Sequence, residues 1–195
     1  MSILMKDSGV EWIGDIPENW KVARLKDVIN INFKSLPLNT EKDFLIKYIE
    51  ISNVNSMGII SKDDIRELTF DEAPSRAKRI INNGDTIVSS VRPNLQAVAY
   101  INEKDTNLIC STGFFTNKII WNEKHDSKYI YYFLLSEFAR QSFISFGKGV
   151  GYPAVDDKDY STLKIVYPIK TEQKQIADFL DKVTLQINDA IKTKE

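Results

Sequence analysis

The chain has 195 residues, of which 43% are hydrophobic and 27% charged, a composition ordinary for a folded domain with one substantial core. Because 26 Lys and Arg are balanced by 27 Asp and Glu, the net charge of -1 excludes nucleic-acid binding through overall charge and leaves only a local basic patch. A single Cys and a single His argue against a zinc site or an intrachain disulfide, so we expect no metal and a reducing cytoplasm. No apolar run approaches the ~18 residues that span a bilayer and no dinucleotide-binding glycine pattern occurs, so we expect no membrane span and no cofactor.

The first 168 residues are dominated by short segments with the alternating pattern of β-strands. Residues 1–19 precede them, and we expect this polar lead to be an irregular arm that its tryptophans anchor to the body. The strand candidates are, in chain order, WKVARL from Trp20, FLIKYIEI from Phe44, TIVSSV from Thr86, AVAYI from Ala97, LICS from Leu108 and TNKIIW from Thr116. The pattern predicts a mainly β body with a few helices.

Two neighbouring segments carry the residue types that contact DNA. Arg76, Lys78 and Arg79 form the densest basic cluster, just before the turn at residues 82–85, and are suited to phosphates. The loop between the next two strands follows, and its polar candidates are Ser90, Arg92, Asn94 and Gln96. Arg suits guanine, and Asn or Gln suits adenine. The alternative is that Arg92 is structural and holds a loop carboxylate.

A helix and a glycine-rich loop come next. The apolar spacing of DSKYIYYFLLSEFARQSFISFG predicts a helix that Gly147 ends. The following GKGVGYP does not match a phosphate-binding P-loop, because Gly149 and then Val150 follow Lys148 where a Ser or Thr at the start of a helix is required, and Pro153 comes soon after. We interpret it as a surface loop in which Lys148 and Tyr152 either reach a phosphate and stack on a base or simply cap the loop.

No set of residues points to catalysis. Ser90 and Ser111 lack an activating base other than His125, which we expect to be exposed in the polar turn NEKHDSK. The carboxylates near Asp156 are interpreted as a solvated turn rather than a metal site. The sequence therefore predicts a binding protein and not an enzyme.

The last segment predicts a long helix after Pro168, with Thr171 as its N-cap and Glu172 in its first turn. Spacings of four and three relate the apolar residues of one face, which are Ile176, Leu180, Val183, Ile187 and Ala190. This spacing is typical of a coiled-coil seam. The alternative is a terminal helix packed on its own domain.

The order of these segments resembles the specificity (S) subunit of type I restriction-modification systems. The stretches that carry the resemblance are GVEWIGDIPENWKVARLKDV near the start, GDTIVSSVRP from Gly84 to Pro93, the STGFF run with the YIYYFLLS helix, the glycine loop leading into STLKIVYPI, and EQKQIADFLD from Glu172 to Asp181. Together they span nearly the whole chain.

The resemblance implies an α+β protein: a mainly β target recognition domain at residues 1–168 that reads double-stranded DNA, then a conserved coiled-coil helix at residues 169–195. It also implies a non-catalytic subunit that assembles with modification (methyltransferase) subunits, which bind S-adenosylmethionine, and with an ATP-using restriction subunit. The usual subunit has two recognition domains and two helices, whereas this sequence has one of each. We therefore expect a homodimer through Ile176, Leu180, Val183 and Ile187, and a bipartite target.

A protein-binding role without DNA selection is the alternative. The chain would then be a helix-mediated adaptor, or a decoy that occupies modification subunits. The net charge near zero fits this alternative, whereas the Arg92 loop and the cluster from Arg76 to Arg79 fit DNA recognition.

Overall fold

The structure is a computed structural model that describes residues 4–55, 57–61, 63, 65–104 and 106–192. Its strands are β1 (Met5–Asp7), β2 (Asp15–Pro17), β3 (Lys21–Arg24), β4 (Ile29–Ile31), β5 (Leu45–Ile49), β6 (Arg66–Thr69), β7 (Ala77–Ile80), β8 (Thr86–Ser89), β9 (Val98–Tyr100), β10 (Leu108–Ser111), β11 (Phe114–Ile119) and β12 (Lys164–Tyr167). Its α-helices are α1 (Ser127–Leu135), α2 (Glu137–Phe146), α3 (Asp157–Thr162) and α4 (Lys170–Lys192). The predicted α+β fold with a long C-terminal helix is confirmed.

Two four-stranded sheets form the body. The mixed sheet has the order β6-β5-β10-β7, with β5 and β10 parallel and the other pairs antiparallel. The antiparallel sheet has the order β4-β11-β8-β9. Because β10 and β11 are consecutive but lie in different sheets, the short turn at residues 112 and 113 joins the two sheets at one end. Two further antiparallel pairs, β1-β2 and β3-β12, complete the strand pairing described.

Aromatic packing fixes the short helices against the antiparallel sheet. The ring of Phe115 on β11 stacks on Tyr160 of α3, with centroids 4.0 Å apart and planes 5° from parallel. Phe143 of α2 meets the same tyrosine edge-on at 5.1 Å. Burial raises the pKa of Tyr160, and its hydroxyl donates a 2.8 Å hydrogen bond to Asn117 Oδ1. Each aromatic pair contributes about 0.5–1.5 kcal/mol beyond its buried area, so α2 and α3 are held at a defined place beside β8 and β11.

Three local predictions are corrected. The expected single helix is two, because Ser136 has extended backbone (φ -70°, ψ 158°) and its hydroxyl caps α2 by accepting from Ala139 N. The expected irregular arm contains the β1-β2 hairpin, in which Ile16 is buried. His125 is buried rather than exposed, with its ring edge-on to Tyr167 at 4.8 Å.

Helix α4 begins at Lys170, so Thr171 lies inside its first turn instead of capping it. Gln173 is fully buried there: its Oε1 accepts from Asp126 N at 3.0 Å, and its Nε2 donates to the carbonyls of Pro168 at 2.8 Å and Lys124 at 3.0 Å. Glu172 accepts a hydrogen bond from the Trp20 indole at 3.1 Å. The beginning of α4 is therefore part of the folded body.

The two halves of α4 have different surroundings. In the first half Ala177 is buried and Ile176 packs against the main core cluster. In the second half, Leu185 and Ile187 are 62% and 54% exposed. At about 1.5 Å per residue the 23-residue helix is about 35 Å long. It can therefore pack on its own body at one end and present apolar side chains to a partner at the other.

Candidate nucleic-acid interface

Most of the predicted DNA-binding residues converge on one end of the body. Ser90, just after β8, donates from both its N–H and its hydroxyl to Gly113 O at 2.8 Å, and its carbonyl accepts from Val155 N at 2.8 Å. The carbonyl of Arg76 accepts from Thr112 N at 2.8 Å. These bonds join the start of β7, the end of β8, the sheet-joining turn and the glycine loop into one edge, which we call the loop edge. Ser90 serves there as a structural link.

Arg92 has a left-handed backbone, with φ 47° and ψ 60°, at the start of the 3-10 turn Pro93–Leu95. A non-glycine residue in this region costs about 1–3 kcal/mol and persists only where the surroundings hold it. The N–H of Arg92 donates to Pro153 O at 2.8 Å, which supplies that restraint. Arg92 is exposed at this strained position.

The Arg92 side chain lies against an aromatic ring. Its guanidinium is 4.8 Å from the centre of the Tyr152 ring, and the tyrosine is 51% exposed. Within the described ranges no carboxylate pairs with this guanidinium, so the alternative of a loop ion pair does not describe its surroundings. A guanidinium stacked on a ring is held in a fixed plane and keeps N–H groups that can donate to a ligand. Asn94 is exposed in the adjoining turn.

Gln96 and Lys148 are engaged within the protein. The Gln96 amide donates to Leu135 O at 2.5 Å, where it satisfies a carbonyl at the end of α1. Lys148 pairs with Asp156 at 2.7 Å and with Asp159 at 2.6 Å, and these hydrogen bonds raise the pKa of its ammonium. Asp156 is exposed, as expected, but it caps the helix α3 instead of lying in a turn. The polar groups of Gln96 and Lys148 are therefore engaged within the protein, where they shape the loop edge, instead of being free to contact bases or phosphates.

The three residues of the basic cluster have different surroundings. Arg76 precedes β7, whereas Lys78 and Arg79 are consecutive residues of that strand. Arg76 is exposed beside the loop edge, and Lys78 lies over the Phe70 ring at 4.7 Å. Arg79 is half-buried, and burial lowers the pKa of its guanidinium. Its Nη1 has no hydrogen-bond partner in the described part of the chain. Arg76, which is exposed, and Lys78, which is half-buried, are therefore better candidates for phosphate contacts than Arg79, whose Nη1 is buried.

A groove of about 480 Å³ separates the Arg92 turn from the glycine loop. Its lining combines the polar Arg92 and Asn94 with apolar groups, which are Pro93, Leu95, Ile144 and Pro153. The sequence pattern does not predict this apolar wall, because a hydrophobic residue gives no sign of being exposed. The flanking Gly149 and Gly151, both with positive φ, were the one available signal for the exposed Val150.

Two classes of site are not found among the described residues. No group of three or more His, Cys, Asp or Glu side chains is placed to hold a metal ion. Over the same ranges, no helix has both the length and the apolar character needed to cross a bilayer.

Comparison with known families gives one match over nearly the whole chain. The protein-family model described as "Type I restriction modification DNA specificity domain" matches residues 17–195. Two similar relatives come from Methanocaldococcus jannaschii. The type I restriction enzyme MjaVIII specificity subunit is 26% identical over 94% of this chain and 44% of its own length. The MjaIX specificity subunit is 25% identical over 86% of this chain and 38% of its own length.

Solved structures show the same likeness. The HsdS subunit from Thermoanaerobacter tengcongensis matches with a TM-score of 0.77 and 26% identity, over 90% of this chain and 44% of that one. A chain solved in work on complex assembly and conformational transition of the type I R-M system matches with a TM-score of 0.79 and 26% identity, over 91% and 45%. The chain thus spans less than half the length of these relatives.

Proposed function

The chain belongs to the type I restriction-modification DNA specificity domain family, and from this premise we propose that it is a DNA-recognition subunit. Its loop edge would bind double-stranded DNA and direct methyltransferase and restriction subunits to the target. The chemistry would reside in those subunits, because the described residues of this chain contribute donors and apolar surface rather than an activated nucleophile.

The observation that carries the proposal is the pairing of a strained, ring-braced Arg92 with an exposed Asn94. An arginine held in a fixed plane is suited to bidentate contact with guanine O6 and N7, and an asparagine to adenine N6 and N7. Arg76 and Lys78 lie at or near the same edge and would add phosphate contacts that position the reader without selecting sequence. Neutral overall charge is compatible with this arrangement because these cations are grouped.

We assign recognition to residues 1–168 and partner contact to residues 169–195. The second half of α4 would bind another α4 and the modification subunits, because Leu185 and Ile187 are exposed large hydrophobic residues. Two chains paired antiparallel would place two loop edges at opposite ends of the helix pair. A two-fold axis between identical readers then requires a bipartite target with inverted half-sites.

The test is co-purification of this chain with a modification subunit, followed by mapping of the adenines or cytosines that the complex methylates. The expected result is a stable complex that methylates one bipartite sequence with inverted halves. A complex that assembles but methylates without sequence preference would support the adaptor or decoy role and reject DNA recognition by this chain.

A further inference from the structure

The groove beside Arg92 is the feature from which we infer more than general DNA binding. Leu95 and Ile144 line it and remain 53% and 39% exposed, and Val150 in the neighbouring glycine loop is fully exposed. Large apolar side chains grouped at a surface mark a place where another molecule binds. The occupant must therefore offer apolar surface at this position.

The groove is held open by backbone hydrogen bonds on both sides. Arg92 N donates to Pro153 O, which ties the turn to the glycine loop at 2.8 Å. Within that loop, Lys148 and Ala154 exchange two backbone bonds of 2.8 and 2.9 Å. Ile144 lies on α2, which packs on the core through Phe143. The site is thus preformed, and little ordering cost is expected on binding.

The neighbours of the groove identify the occupant. Its apolar wall adjoins the donors of Arg92 and Asn94, so the partner surface must carry hydrogen-bond acceptors directly beside an apolar group. In the major groove of DNA, thymine presents its O4 acceptor and its C5-methyl group side by side, whereas cytosine presents a donor and no methyl. The volume of about 480 Å³ leaves room for the edge of a base pair rather than for a methyl group alone.

We propose that this groove is a thymine-methyl site, in which Leu95 and Ile144 contact the C5-methyl group of one thymine in each half of the target. The inference rests on the proposed function and deepens it, because it names a base that the loop edge selects. Leu95 is a specificity-determining residue under this proposal, and Arg92 and Asn94 read the adjoining base edges.

The experiment removes only the methyl group. After the methylated sequence is mapped, each thymine of one half-site is replaced in turn by deoxyuridine, and affinity is measured for the complex of this chain with its modification subunit. Burial of one methyl group predicts that the affinity of the wild-type complex falls about fourfold when deoxyuridine replaces thymine at one position.

With Leu95→Ala, thymine and deoxyuridine duplexes should bind within about twofold of each other at that position. Leu38→Ala is the matched control, since Leu38 is 98% exposed and outside the groove, and it should keep the fourfold difference.

Other outcomes overturn the proposal. These are a half-site without thymine, equal binding of every deoxyuridine duplex by the wild type, or a fourfold difference that survives Leu95→Ala. If Leu95→Ala prevents assembly with the modification subunit and thymine replacement has no effect on the wild type, the groove binds protein instead. Absence of any sequence-selective methylation would already reject the proposed function, and the thymine site with it, before any base is replaced.

Discussion

The hydroxyl of Tyr132 on α1 donates a 2.7 Å hydrogen bond to the Asp181 carboxylate on α4. Lys128, one turn earlier on α1, pairs with the same carboxylate. Burial and this carboxylate raise the pKa of the Tyr132 phenol, so it stays a donor at neutral pH. Because Asp126 meets Gln173 and Tyr132 meets Asp181, positions further along α1 contact positions further along α4, and the two helices run in the same direction. These contacts fix the direction in which α4 leaves the body.

We expect Tyr132→Phe to lower the free energy of unfolding by about 0.5–1.5 kcal/mol, the usual net value of one hydrogen bond. Asp181→Ala should cost more than Tyr132→Phe, because it also removes the ion pair with Lys128. The partly exposed setting keeps the effect below that of a buried charged bond. Urea denaturation measures the change, and the double variant should cost less than the sum of the two, because both single changes remove the Tyr132–Asp181 hydrogen bond. Asp178→Ala is the matched control: its partner Lys174 is on α4 itself, so its effect should simply add to that of Tyr132→Phe. Full additivity of Tyr132→Phe and Asp181→Ala would contradict a direct contact.

Arg92→Ala should relax the base preference of the complex. One lost bidentate base contact costs about 1–3 kcal/mol at the position it reads and leaves binding to unrelated DNA nearly unaltered. The measurement is the ratio of affinities for the mapped target and a scrambled duplex. Arg92→Lys keeps the charge but not the planar fork, so it should resemble Arg92→Ala rather than the wild type. If Arg92 only shapes its turn, the melting temperature falls and the affinity ratio stays constant.

Arg76 and Arg79 should differ in their contribution to the salt dependence of DNA binding. Arg76→Ala and Lys78→Ala should each weaken binding to all sequences and reduce the slope of log affinity against log salt by about 0.9. Arg79→Met should leave this slope unchanged, because the Nη1 atom of its guanidinium is buried. Titrations between low and moderate salt measure the slopes. A reduced slope for Arg79→Met would show that burial does not keep this arginine from DNA.

The sequence pattern was sufficient for elements whose periodicity is local. The segments at β5, β8, β9, β10 and β11 are short and rich in apolar residues, and the structure has a strand in each of them. The pattern failed where contacts between residues distant in the sequence determine burial and pairing. His125 lies in a polar turn yet is buried against Tyr167, because β12 and the start of α4 close over it. Lys148 is paired with two carboxylates, one of them eleven residues away, on a helix that the sequence did not predict.

The buried His125 leads to a pH-dependent stability. Burial lowers the pKa of its imidazole in the folded state below the ordinary value of about 6.5. The unfolded chain therefore binds a proton at this imidazole more readily than the folded chain does. The stability that depends on a neutral His125 is fully present above pH 6.5 and is lost as the pH falls below that value. The limiting slope is about 1.4 kcal/mol per pH unit. Urea midpoints measured from pH 7.5 to 5.5 should fall for the wild type and stay flatter for His125→Leu. Parallel curves would contradict a neutral buried imidazole.

We expect the apolar face of α4 to form a contact between two chains. The four predicted contact residues differ in their surroundings: Ile176 packs on its own core, Leu180 and Val183 are half-buried, and Ile187 is 54% exposed. A charge introduced at Ile187 should therefore split a dimer without loss of fold, because an unpaired charge is costly only in the interface.

Light scattering at micromolar concentration should give a dimer for the wild type and a monomer for Ile187→Asp, with unchanged circular dichroism. Gln186→Asp adds the same charge on an exposed polar position and should remain dimeric. By contrast, Ile176→Asp should unfold the body, because it places the charge in the core that joins α4 to α1. A helix pair of about three heptads is marginal by itself, so contact with the partner's body is expected to add to the interface. A monomeric wild type whose complex methylates an asymmetric site would reject the two-fold arrangement.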